Sequence, residues 1–85
     1  MDPRQFIRQA AENEAYHLTE HALQEADKDN LSVTDLENVM LRGIINQRDR
    51  KNNRYRLRHK DVQIVVEICS GQVIVVTVMK DKKEV

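Results

Sequence analysis

"RYRLRHKDVQIVVEICSGQVIVVTVM", residues 54–79, decides the fold. Apolar residues alternate with polar ones or run in β-branched blocks, a period of two that belongs to strands. Ser70-Gly71 reads as a two-residue hairpin turn, and Lys60-Asp61 as a second tight turn. With Ser70-Gly71 as the turn, Ile68 faces Val73, Val66 faces Val75, Ile64 faces Thr77 and Val62 faces Met79. That face is almost wholly apolar and is expected to meet the rest of the chain. The other face carries Gln63, Val65, Glu67 and Cys69 against Gln72, Ile74, Val76 and Val78. With Lys60-Asp61 as the next turn, His59, Leu57 and Tyr55 join the apolar face. Arg54, Arg56 and Arg58 fall together on the mixed face, with Arg54 opposite Glu67. A turn longer by one residue would exchange the two faces. Upstream, "IINQRDR" supplies a further strand, joined to "RYRLRHK" through the turn-rich "KNN".

The N-terminal half has the other period. Asp2-Pro3 reads as an N-cap followed by proline at the first helical position. Phe6, Ile7, Ala10, Ala11 and Ala15 then share one helical face, and Leu18, Ala22 and Ala26 extend it. One helix over 3–29 fits this stripe, but Thr19 favours a break near "YHLT" and a new helix ending at Asp29-Asn30. A third helix follows in "LSVTDLENVMLRG", with Ser32 or Thr34 as cap, Asp35 or Glu37 three residues on, and Gly43 at its end. The expectation is one α+β domain over 1–80, two or three N-terminal helices packed on one face of a three- or four-stranded antiparallel sheet, with residues 81–85 a frayed tail.

The formal net charge of zero conceals a division along the chain. Residues 1–46 carry four basic and nine acidic side chains, 47–60 carry seven and one, and 61–85 carry three and four, for nets of −5, +6 and −1. Half of the cations occupy one sixth of the sequence. Two readings of Arg54, Arg56 and Arg58 stand: guanidinium forks for RNA or another phosphate-bearing ligand, and charges that guard a strand against sheet-to-sheet association. Only Phe6, Tyr16 and Tyr55 are aromatic, too few for a base-stacking platform. A single cysteine, Cys69, excludes an internal disulfide and reads as a small strand hydrophobe. No Cys/His spacing suggests a metal site. No apolar run approaches the roughly 20 residues of a membrane span, and Met-Asp-Pro is not a leader. The expectation is a cytoplasmic protein with no metal, cofactor or membrane contact.

Among titratable residues, His21 stands out as a candidate general base near a helix start. Glu20 and Glu25 oppose that role, and His17 and His59 have less context. Glu20, Glu25, Asp27 and Asp29 lack the spacing of a calcium loop and read as a solvated helical face.

"YHLTEHALQEADKDNLSVTDLENVMLRG" with the later "VIVVTVM" resembles the domain-of-unknown-function 4258 family of small bacterial proteins. The residues that carry the likeness are Thr19, His21, Ala22, Leu31-Ser32, Asp35-Leu36, Gly43 and Thr77-Val78, within 16–79. That family looks related to ribonuclease toxins of the RelE and BrnT type. The resemblance implies helices on a small antiparallel sheet, an antitoxin-like or regulatory protein partner, and metal-independent, cofactor-free RNA cleavage with His21 as base. The sequence departs from the pattern where it matters for RNA. Glu25 stands four residues after the histidine, where the family has arginine, Asp29 and Asn30 stand where another arginine is frequent, and Met79 replaces the final tyrosine. At about 8 Å and an effective dielectric near 20, each unit charge contributes roughly 2 kcal/mol against a phosphate, less with salt. Two functions remain from the sequence: a catalytically weakened interaction module, and a toxin-type endoribonuclease or RNA-binding protein.

Overall fold

A computed structural model describes residues 2–81 of the chain. The elements are α1 (Pro3–Glu12), β1 (Tyr16–Leu18), α2 (Glu20–Lys28), α3 (Val33–Arg42), β2 (Ile44–Asp49), β3 (Arg54–His59), β4 (Val62–Cys69) and β5 (Gln72–Lys80). The sheet has the order β1-β5-β4-β3-β2. The class is α+β as expected, but the sheet has five strands and is mixed, because β1 pairs parallel to β5.

Each helix starts where the side chains can satisfy its first free N–H groups. The Asp2 carboxylate accepts from the Arg4 N–H at 3.0 Å, ahead of Pro3. Thr19 Oγ1 accepts from the Ala22 N–H at 3.0 Å, which confirms a break before α2. Ser32 and Asp35 form a reciprocal capping box at α3. Between α1 and α2 the chain turns at Glu14, whose φ is 53°, and spends Tyr16–Leu18 as β1. Asn30, with φ 56°, closes α2 in the left-handed region as expected.

One contiguous core lies between the helices and a single face of the sheet. Ile7, Ala11, Ala22, Leu36, Val39 and Met40 meet Leu57, Ile64, Val66, Val73, Val75 and Val78, all fully or almost fully buried. The β3–β4 register is the expected one, with Tyr55 opposite Val66 and Leu57 opposite Ile64, both Tyr55 and Leu57 in the core. Lys60, with φ 57°, makes the two-residue turn.

The β4–β5 pairing follows expectation only near its turn. Ile68 opposes Val73 and Val66 opposes Val75, but Ile64 opposes Val78 rather than Thr77, and Val62 opposes Lys80 rather than Met79. The register shifts between Val65 and Val66, which oppose Thr77 and Val75 and leave Val76 as an extra residue in β5. A single extra residue exchanges the faces beyond it. Val78 therefore turns into the core, while Thr77 and Met79 join Val65 and Gln63 on the other face.

Gly43 ends α3 with φ −73°, ordinary extended backbone rather than the left-handed form. Its need for glycine is spatial: a Cβ there would stand 2.5 Å from the Val39 carbonyl oxygen and 2.8 Å from that of Arg58. Arg4 Nε donates to the Gly43 carbonyl at 2.9 Å and ties α1 to this junction. Of the expected tail, Asp81 is paired: its N–H donates to the Asp61 carbonyl at 2.7 Å. Residues 82–85 lie outside the described residues.

Candidate functional site

Arg54, Arg56 and Arg58 alternate with core-facing Tyr55 and Leu57, so they project from the sheet face that carries no helix. The register assigns each a different neighbourhood. Arg54 lies between Asp49 on β2 and Glu67 on β4, and its Nε donates to Glu67 Oε1 at 3.0 Å. Arg58 forms an ion pair with Asp81, whose carboxylate also accepts from Gln63 Nε2 at 2.9 Å. Arg56 lies between Gln47 and Val65, both uncharged. Its Nε is buried and has no hydrogen-bond partner among the described residues.

A hollow of about 300 Å³ opens at this point, lined by Gln47, Asp49, Arg54, Tyr55, Arg56, Val65, Thr77 and Met79. Asp49 is already engaged: Asn52 donates to both of its oxygens, at 3.3 Å from the backbone N–H and 2.8 Å from Nδ2. Those bonds, the Asn52 side chain first, hold its carboxyl below the usual aspartate range. The β5 bulge supplies Thr77 and Met79 to this hollow.

His21 lies elsewhere. It occupies the first turn of α2, which packs on β5 through Ala22 and Ala26 on the helix side of the sheet. Its side chain is 66% exposed, and its Nε2 stands 2.6 Å from Glu25 Oε1. The strand that precedes it, β1, is three positions from β3 in the sheet, about 14 Å at 4.7–4.9 Å per strand. His21 and the three arginines therefore do not converge on one ligand-sized volume. His17 is exposed opposite Ile74, near the sheet edge. His59 lines a second hollow of about 250 Å³ with Asp35, Asn38, Lys60 and Lys80, where both signs of charge are present. Cys69 is exposed at the end of β4. Among the described residues no group of three or more His, Cys, Asp or Glu side chains is placed to hold a metal ion, and no helix is long and apolar enough to cross a membrane.

One bond was not legible in the sequence. The Tyr16 hydroxyl donates to Glu37 Oε2 at 2.6 Å, joining β1 to α3 across 21 residues. Burial, and then the adjacent Glu37 carboxylate, push the phenol well above its usual range.

The family model described as "Domain of unknown function (DUF4258)" matches residues 18–80. No curated protein and no solved structure matches the chain.

Proposed function

The chain belongs to the DUF4258 family, and we propose that it is a non-enzymatic interaction module that binds a protein partner on the helix-free face of its sheet. One observation carries this reading. That face sets partly buried apolar side chains, Val65, Ile74, Val76 and Met79, beside a row of arginines. A sheet face that only met water would favour polar residues at these positions. Apolar surface with guanidinium groups beside it is the composition of binding surfaces.

The resemblance to RelE and BrnT type toxins motivates a ribonuclease reading, with His21 as base. Such cleavage requires a base and cations around one phosphate. Here the base is paired with Glu25, and the arginines occupy the far face of the sheet. Protein is favoured over RNA because Tyr55, although it borders the hollow, is only 8% exposed, and Tyr16 is bonded to Glu37, so neither offers a ring face for a base to stack on.

The test has two arms. Purified protein is incubated with cellular RNA beside His21→Ala, and immobilised protein is used to select from a displayed library of random heptapeptides beside Val65→Lys. Intact RNA in both samples, with peptides enriched on wild type and lost on Val65→Lys, is expected. RNA cleavage that vanishes in His21→Ala at unchanged thermal stability would replace the module reading with the enzyme one.

A further inference from the structure

Resting on the reading that the helix-free face binds a protein, we propose that Arg56 is the anchor of that face and takes a carboxylate from an extended acidic and apolar segment of the partner. The three arginines look equivalent in sequence, and the fold makes them unequal. Arg54 has carboxylates on both neighbouring strands and donates to one of them. Arg58 is paired with Asp81. Arg56 sits between them with Gln47 on one side and Val65 on the other. Its Nε is removed from solvent and unpartnered among the described residues. A buried guanidinium N–H without an acceptor is costly, and the cost is relieved by a ligand that brings an acceptor.

The surroundings specify the ligand's chemistry. A carboxylate matches the guanidinium fork and can be bound by two parallel N–H donors. Val65 and Met79, in the same hollow, give an apolar side chain next to that carboxylate a place to sit. Glu67 and Asp81 neutralise Arg54 and Arg58, so on this face Arg56 is the guanidinium with no carboxylate partner among the described residues, and a ligand carboxylate supplies the missing charge. Asp49, the hollow's own carboxylate, is bonded to Asn52 and does not accept from Arg56 Nε. A phosphate backbone would satisfy Arg56 as well but would leave Val65 and Met79 without a matching group.

The probes are the blocked peptide Ac-Val-Asp-Val-Asp-Val-NH2, its counterpart with both Asp replaced by Asn, and a twelve-nucleotide oligouridylate. Affinities are measured by calorimetry and binding is located by amide chemical shifts, for wild type, Arg54→Gln, Arg56→Gln, Arg56→Lys and Arg58→Gln. On wild type the Asp peptide is expected to bind the open face about tenfold or more tightly than the Asn peptide, the scale of a charge-assisted hydrogen bond. Arg56→Gln should abolish this preference and Arg56→Lys should retain part of it, since charge survives while the fork is lost. Arg54→Gln and Arg58→Gln should leave it within about threefold. If Arg56→Gln fails to fold, Arg56→Lys and the wild-type shift map decide. A preference that survives Arg56→Gln, or is lost equally in Arg54→Gln, overturns the assignment. So does an oligouridylate that binds more tightly than the Asp peptide. Peptides that occupy the face with no Asp over Asn preference overturn the anchor alone; peptides that do not occupy the face overturn the module reading with it.

Discussion

Replacing Gly43 by alanine should be among the most damaging single-methyl changes available to this protein. The backbone at Gly43, φ −73° and ψ 169°, is open to any residue, so the penalty is not conformational. The added Cβ would meet two backbone oxygens, Val39 O at 2.5 Å and Arg58 O at 2.8 Å. Backbone cannot swing aside as a side chain can. Reaching an ordinary 3.4 Å contact requires the end of α3 and strand β3 to move by up to 0.9 Å at this point. Two hydrogen bonds stand in the way of that motion: Gly43 N–H to Val39 O at 2.8 Å, and Arg4 Nε to Gly43 O at 2.9 Å. Overpacking of this kind costs about 1–3 kcal/mol, and each weakened bond adds about 1 kcal/mol. The lower unfolded-state entropy of alanine returns about 0.4–1 kcal/mol. A net loss of about 2–4.5 kcal/mol is expected, against a total stability of roughly 4–13 kcal/mol for a domain of this size. Denaturation followed by circular dichroism should show a lower urea midpoint and a thermal midpoint lowered by about 10–35 °C, at about 4–8 °C per kcal/mol. Gly71→Ala is the control. It has φ 75° and nothing within 4 Å of a Cβ, so its cost is the left-handed backbone alone, about 1–2 kcal/mol. A Gly43→Ala midpoint within 2 °C of wild type, or above that of Gly71→Ala, would refute the close-approach argument.

Other outcomes follow from the caps, turns and titrating groups. Ser32→Ala removes one half of the capping box and should cost about 1 kcal/mol by chemical denaturation, while Thr34→Ala leaves that box intact and should cost less. Lys60 holds φ 57° in the β3–β4 turn, so Lys60→Gly should raise the thermal midpoint by a few degrees, about 0.5–1 kcal/mol. Asp35 and Asp49 have folded carboxyls lowered below 3.8, by bonds from Ser32 and Asn52 respectively, so their contribution is complete above that value and fades as pH falls through the lowered folded pKa; stability against pH should decline in acid and decline less in Asp35→Asn. Tyr16 has the opposite sign: its raised folded pKa contributes stability that is complete below 10.0 and lost as pH rises through the folded value, so wild type and Tyr16→Phe should differ in the slope of stability above pH 10 and not between pH 6 and 8.

The helix caps and the antiparallel strands of the C-terminal half were legible in the sequence because their signals are local. Thr19, Ser32 with Asp35, Ser70-Gly71 and Lys60-Asp61 each act over two to four residues, and each stands where expected. Strict alternation in "RYRLRH" put Arg54, Arg56 and Arg58 on the face opposite Tyr55 and Leu57. The bulge in β5 was not legible, because "VIVVTVM" is apolar in either register and no glycine or proline marks Val76. Strand β1 was hidden for a different reason. Three residues cannot show a period, and its partner, Val73–Val75, lies more than 50 residues away. The inequality of the arginines needed both facts, the register across β2, β3 and β4 and the position of Asp81 beyond β5.

The sheet face without helices is the surface on which the proposed partner is to be found. A peptide selected on wild type, titrated into the isotopically labelled protein and mapped by amide shifts, tests it most directly. The largest shifts are expected on Arg56, Val65, Thr77 and Met79, around the hollow, with α2 unaffected. Shifts centred on His21 and Glu25 at the start of α2, with β3 and β4 unmoved, would contradict it.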